Sequence, residues 1–176
     1  MSSNPRFFSE KKTKNLQVVI LDEPIPLSSA KNVCAQYEAL PTSYENQQEY
    51  EKVYLELQIG FNNTNLTNAS GAMAVDGRRF ATCHTDPDTP PCDNVTTSFE
   101  FWDYHTDHSY LFTTFMDDEP SKVDVNGRSE DCIQFLSSNA DEWFKGMLND
   151  HKCDVVIDPQ WIPFSNYAVL CGRLPV

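Results

Sequence analysis

The sequence predicts an α+β fold, with helices early in the chain and irregular strands joined by long loops later. Two helix-periodic stripes fall before residue 60, whereas short β-branched or aromatic runs fall mostly after it. Six cysteines, Cys34, Cys83, Cys92, Cys132, Cys153 and Cys171, are spread across both parts. Strands and helices do not alternate, so a parallel βαβ sheet is not expected, and no internal repeat appears.

Residues 1–14 are polar and read as a disordered tail, with one domain following over residues 15–174. LQVVIL, residues 16–21, is a β-branched run and reads as a strand; the prolines of DEPIP are expected to break it. A first helix is expected over residues 28–40, where Ala30, Val33, Cys34 and Tyr37 share one face. A second helix follows Pro41, with Thr42 and Glu45 at capping-box spacing and Tyr50, Val53, Tyr54 and Leu57 as its apolar stripe. After Gly60 the Asn-, Gly- and Pro-rich stretches read as loops. Further strands are expected around Phe99 and Phe101, then over residues 110–115, 132–136 and 167–171.

Composition narrows the function classes. With 13 basic and 26 acidic residues the net charge is −13, which repels phosphate backbones and anionic membrane surfaces. Nucleic acid is therefore excluded as a partner, and no stretch is long and apolar enough to span a bilayer. An even cysteine count without any CxxC favours three disulfides in an oxidising compartment, and leaves fifteen pairings open. Asn62, Asn65, Asn68 and Asn94 each open an N-x-S/T glycosylation sequon. Together these point to a secreted, extracellular glycoprotein. The first 15 residues hold no apolar core of a secretory signal, as expected of a trimmed piece of a longer chain.

FMDDEPSKVDVNGRSEDC, residues 115–132, gathers six acidic side chains and no apolar run. It reads either as a solvated loop or as an oxygen cage for a hard cation such as calcium.

Several motifs resemble the C-type lectin-like domain. The two-helix opening over residues 28–57 is similar to that of the family, and Gln58-Ile59-Gly60-Phe61 resembles its W-I-G-L strand. Val75-Asp76-Gly77 with the following arginines resembles the W-x-D-G turn, and Glu119-Pro120-Ser121 the E-P-N loop. Glu130-Asp131-Cys132 matches E-D-C, Leu148-Asn149-Asp150 resembles W-N-D, and residues 167–172 resemble the closing strand.

The resemblance implies two helices packed on irregular antiparallel sheets, stapled by Cys34–Cys171, Cys132–Cys153 and a local Cys83–Cys92 bridge. It implies a calcium site with sugar-binding ligands Glu119, Ser121, Glu130, Asn149 and Asp150, and a Pro120 that follows a cis peptide. The activity implied is calcium-dependent binding of glycans or glycoproteins, with a mannose-type preference, strengthened by oligomerisation through avidity. No bond is broken, so no enzyme is implied. The alternative is a calcium-independent protein-recognition module on the same scaffold. Ser121 departs from the pattern, because a hydroxyl lacks the carbonyl oxygen that an asparagine offers.

Other constellations lead elsewhere. His105, Asp107 and His108 lie close in sequence but lack the helical spacing of a hydrolase metal site. The stretch from Lys122 to Gly127 hints at an EF-hand loop, yet Lys122 stands where the first ligand belongs. His84 and His151 are isolated. Trp143 and Trp161 offer faces for sugar stacking, though local packing is the commoner role of loop aromatics.

Overall fold

The computed structural model describes residues 14–64, 71–84, 88–137, 145–157 and 164–173. In chain order the elements are β1 (Asn15–Ile25), α1 (Ala30–Ala35), β2 (Leu40–Pro41), α2 (Gln47–Asn63), β3 (Gly71–Arg79), α3 (Val95–Ser98) and β4 (Phe99–Glu100). Then come β5 (Cys132–Ser137), β6 (Leu148–His151) and β7 (Asn166–Arg173). The strands form one sheet of order β1-β7-β3-β5-β6, with β2 added to β7 and β4 to β3. All pairs are antiparallel except β3 with β7.

β1 is longer than its sequence suggests. Pairing with β7 runs from Asn15 to Ile20, lapses, and resumes at Ile25. The lapse covers Pro24, whose missing N–H is tolerated on an edge strand. Residue 14, assigned by sequence to the tail, is anchored. The Lys14 ammonium donates to Thr42 Oγ1 at 2.8 Å, to the Ser43 carbonyl at 2.8 Å and to Thr106 Oγ1 at 2.5 Å.

α2 starts later than the Thr42–Glu45 spacing predicts. Asn46 is the N-cap, its side chain accepting from the Glu49 N–H at 3.0 Å, while the Glu49 carboxylate accepts from the Glu45 N–H at 2.8 Å. The reciprocal cap is the predicted kind of motif, built on a different pair. Gln58-Ile59-Gly60-Phe61 is not a strand; it continues α2. The buried stripe Val53, Leu57 and Phe61 keeps the helical period through it. Gly60 lets α2 approach β1, since a Cβ there would stand 2.5 Å from Ile20 Cδ1.

The W-x-D-G-like segment is likewise no turn. It lies inside β3, whose pairing with β5 is interrupted between Ala74 and Arg78. Gly77 occupies this irregularity at φ 141°, where an added Cβ would collide with Ile133 Cδ1 at 2.4 Å. Residues 111–114 form a 3₁₀ turn in place of the expected strand. Thr113 and Thr114 hydroxyls donate back to the Tyr110 and Leu111 carbonyls, each at 2.7 Å. Phe115 alone bridges to Leu148.

One core cluster joins α2 (Val53, Leu57, Phe61) to Met73, Ile133, Phe135 and Leu170 of the sheet. A second joins Ala30 and Cys34 of α1 to Val169 and Cys171 of β7. The disulfides are Cys34–Cys171, Cys83–Cys92 and Cys132–Cys153, as the resemblance implies. The first closes a separation of 137 residues, which restricts the unfolded chain by on the order of 4–5 kcal/mol.

Candidate functional site

Three elements bring the acidic loop to one place. β6 carries Asn149 and Asp150 beside β5, and the Cys132–Cys153 bridge clamps the ends of that hairpin. The loop from Glu119 to Lys122 folds over Asp150. Its Glu119–Pro120 peptide is cis, and Asp118 and Lys122 flank it at φ 68° and 72°. Ser121 N–H donates to Glu119 Oε2 at 2.6 Å and to Asp150 Oδ1 at 3.0 Å, and its hydroxyl to Glu130 Oε2 at 3.1 Å. Glu119, Ser121, Glu130 and Asp150 thus meet in one hydrogen-bonded group.

Asn149 stands apart from this group. Its amide donates to the backbone carbonyl of Asp150 at 2.6 Å, and no hydrogen bond joins it to Glu119, Ser121, Glu130 or the Asp150 carboxylate among the described residues. Ser121 is exposed, Glu119 half-buried, and Glu130 and Asp150 buried.

Arg79, from the end of β3, lies beneath the group at 1% exposure. Its Nη2 donates to Asp150 Oδ2 at 2.7 Å and to the Glu130 carbonyl at 3.2 Å, and Nε to that carbonyl at 3.3 Å. Asp131 Oδ1 is 3.6 Å from Nε, and the Phe99 ring lies 4.7 Å from the guanidinium carbon. Sequence reading passed over Arg79 because it sits in a segment assigned to a turn. The signal that finds it is charge balance: clustered acids entering a buried site require a cation.

Burial pushes the Glu119 carboxyl up to about 8, and the hydrogen bond and negative charge of Asp150 add to the rise. Burial pushes Asp150 upward too, while the Glu119 hydrogen bond, the Lys122 N–H and the Arg79 charge pull the other way.

These residues do not fit the calcium cage that the resemblance implies. Calcium needs about 6–8 accessible oxygens. Both oxygens of Asp150 are already held by protein donors, Oδ1 by Ser121 N–H and Oδ2 by Arg79 and the Lys122 N–H at 2.9 Å. The Asp150 side chain has 0% exposure. Among the described residues, no group of three or more His, Cys, Asp or Glu side chains is disposed to hold a metal.

The histidine-rich stretch has a structural part. His108 Nδ1 pairs with Ser43 Oγ at 2.7 Å and Nε2 with the Asp103 carbonyl at 2.9 Å, and its ring stacks on Phe101. His105 packs on Tyr104. Asp124 closes its own turn, accepting from the Asn126 and Arg128 N–H groups at 2.8 and 2.9 Å. His151 lies 3.5 Å from Glu130 Oε1, at the margin of the acidic group. Trp143, Trp161, Asn65 and Asn68 lie outside the described residues. Asn94 is exposed and caps α3, accepting from Thr96 N–H at 2.9 Å.

A sheet flanked by two early helices, three disulfides and an acidic loop held against β6 define a C-type lectin-like fold. The chain belongs to the C-type lectin domain-containing protein 141/158 family, whose model matches residues 9–174. It is 32% identical over 170 residues to C-type lectin domain-containing protein 158 of Caenorhabditis elegans, an alignment covering 91% of this chain and 78% of that protein. To C-type lectin domain-containing protein 141 of the same organism it is 28% identical over 172 residues, covering 87% of this chain and 56% of the other.

Solved structures with this fold include the SPL-1–GlcNAc complex, with a TM-score of 0.55 and 12% identity over 90% of this chain and 87% of that one. Another is the Ca2+-independent C-type lectin SPL-2 from Saxidomus purpuratus, with a TM-score of 0.52 and 14% identity over 90% and 86%. The trimeric Kupffer cell receptor Clec4f gives 0.54 and 14% over 91% and 79%. At such identities the likeness is one of fold: the fold is that of carbohydrate-binding lectins.

Proposed function

We propose that this chain is a secreted glycan-binding domain, built over residues 15–174, whose contact surface is the loop around Glu119–Ser121 with Glu130, Asn149 and Asp150 at its base. The observation that carries the reading is Ser121: exposed, yet bonded to Glu119, Glu130 and Asp150 together. Such a rim offers acceptors and a rotatable hydroxyl to the vicinal hydroxyls of a sugar. A single polar, open site binds weakly, so biological strength comes from clustered copies. The GlcNAc complex of SPL-1, a structure of the same fold, supports a glycan as the ligand class.

The test is a glycan array probed with a multimerised form of the domain, wild type against Ser121→Arg. Ser121 is exposed, so the variant is expected to stay folded, checked by its melting temperature, and to lose at least about tenfold in signal, equivalent to ~1.4 kcal/mol. Absence of any glycan signal, or an unchanged Ser121→Arg signal, overturns the reading.

Calcium-dependent, mannose-preferring recognition is the rival reading. The convergence of Glu119, Ser121, Glu130 and Asp150 favours it, and the pairing of Asp150 with Arg79 opposes it. Repeating the array in chelator separates the two.

A further inference from the structure

Resting on the glycan-binding reading, we infer that Arg79 is the resident cation of this site, a positioning residue that holds the Glu119–Lys122 loop where an added divalent ion would otherwise be needed. Glu130, Asp131 and Asp150 crowd one end of β3, with the Glu119 carboxyl beside them. Like charges at such distances repel, and a buried carboxylate without a partner is costly. Arg79 answers both demands from within the chain. One Nη2 N–H engages the Asp150 carboxylate; Nη2 and Nε together grip the Glu130 carbonyl; and Asp131 lies beside Nε. Asp150 then passes the order outward, since its two oxygens accept from the Ser121 and Lys122 N–H groups.

The fork geometry matters. A lysine ammonium is a point charge, whereas a guanidinium can bond a carboxylate and a carbonyl in fixed directions while lying on an aromatic ring. The Phe99 ring at 4.7 Å supplies that face. Arg79 Nη1 is buried and has no hydrogen-bond partner among the described residues. The guanidinium is thus placed for Asp150 and Glu130, at the cost of leaving one nitrogen unpaired.

The experiment compares melting temperatures of the whole domain in roughly 10 mM calcium, well above the affinities of typical extracellular sites, and in chelator. The wild type is expected to show no shift. Arg79→Met keeps side-chain bulk but leaves the carboxylates uncompensated; it is expected to melt lower and to gain a calcium-dependent rise of about 2–4 °C. The double variant Arg79→Met/Asp150→Leu, which removes both partners, is expected to fold and to ignore calcium. A calcium shift in the wild type overturns the inference, as does an Arg79→Met protein that melts like wild type and stays indifferent to calcium. Should Arg79→Met fail to fold, the wild-type measurement decides. The readout involves no sugar, so failure of the glycan array leaves this result legible.

Discussion

Tyr50 of α2 donates its phenolic hydrogen to the carbonyl of Gly146 at 2.9 Å, joining the second helix to the residues that lead into β6 across 96 positions of sequence. Gly146 sits at φ 82°, and a Cβ there would stand 2.6 Å from that same phenolic oxygen. Gly146→Ala is therefore expected to destabilise by at least the ~1–2 kcal/mol of a left-handed L-residue. Tyr50→Phe, which only deletes the hydrogen bond, is expected to cost ~1 kcal/mol. Urea denaturation of the two variants checks the order.

Asp76 is 2% exposed and accepts from the Asp103 N–H at 2.8 Å. Burial pushes its carboxyl up to about 6 from an ordinary 3.8, with the backbone hydrogen bonds acting against the rise. An acid with a raised folded pKa favours folding while protonated. Its contribution is complete below about pH 4 and is lost as pH climbs through about 6. The Asp103 charge lies beside it, so the comparison must be with Asp76→Asn. Wild-type stability is expected to fall more than that of the variant between those limits, by on the order of 2–3 kcal/mol. Chemical denaturation at several pH values measures it; equal slopes refute it.

Lys14 ties the start of β1 to Thr42, Ser43 and Thr106, and its ammonium lies 3.7 Å from Asp103 Oδ2. Although burial alone would raise the Asp103 carboxyl, hydrogen bonds from Thr106 and Thr42 and the Lys14 charge hold it below the ordinary value. Lys14→Met is expected to cost ~3 kcal/mol, as when one partner of a buried pair is removed. Thermal melts of this variant and of Lys14→Met/Asp103→Asn read the effect, and the double variant is expected to recover part of the loss.

The sequon at Asn94 shares a groove with Val95, Glu119, Pro120 and Lys122. A glycan carried there stands over the proposed contact loop. Thr96→Ala, which removes the acceptor motif while keeping Asn94, is expected to raise array signals severalfold in protein from a glycosylating host. Mass spectrometry of the Asn94 peptide and equal signals from the two proteins are the observations that check and refute it.

What sequence made legible was set by how far each cause reaches. Local periodicity reported the Val53–Leu57 stripe of α2, and short β-branched or aromatic runs reported β1, β5 and β7. Residues 58–61 misled because they resemble a strand motif, whereas they continue α2, with Gly60 a contact point for Ile20 that is visible only once α2 lies on β1. Residues 110–115 misled because their alternation is that of a strand, while two threonine hydroxyls close a turn instead. At the site, acidic residues were conspicuous one by one, but their partner was not. Arg79 lies 71 positions from Asp150, and nothing local to either residue announces the pair.

A guanidinium fixed to β3 has no free concentration. A domain that borrows its cation gains or loses order with the activity of that ion in its surroundings, through ordinary mass action. On the inference that Arg79 supplies the charge covalently, that dependence is expected to vanish: chelation would not release a bound ligand, and a compartment poor in calcium would be no barrier to holding it. Letting go must then depend on how many copies engage the ligand at once, and on how fast each copy dissociates.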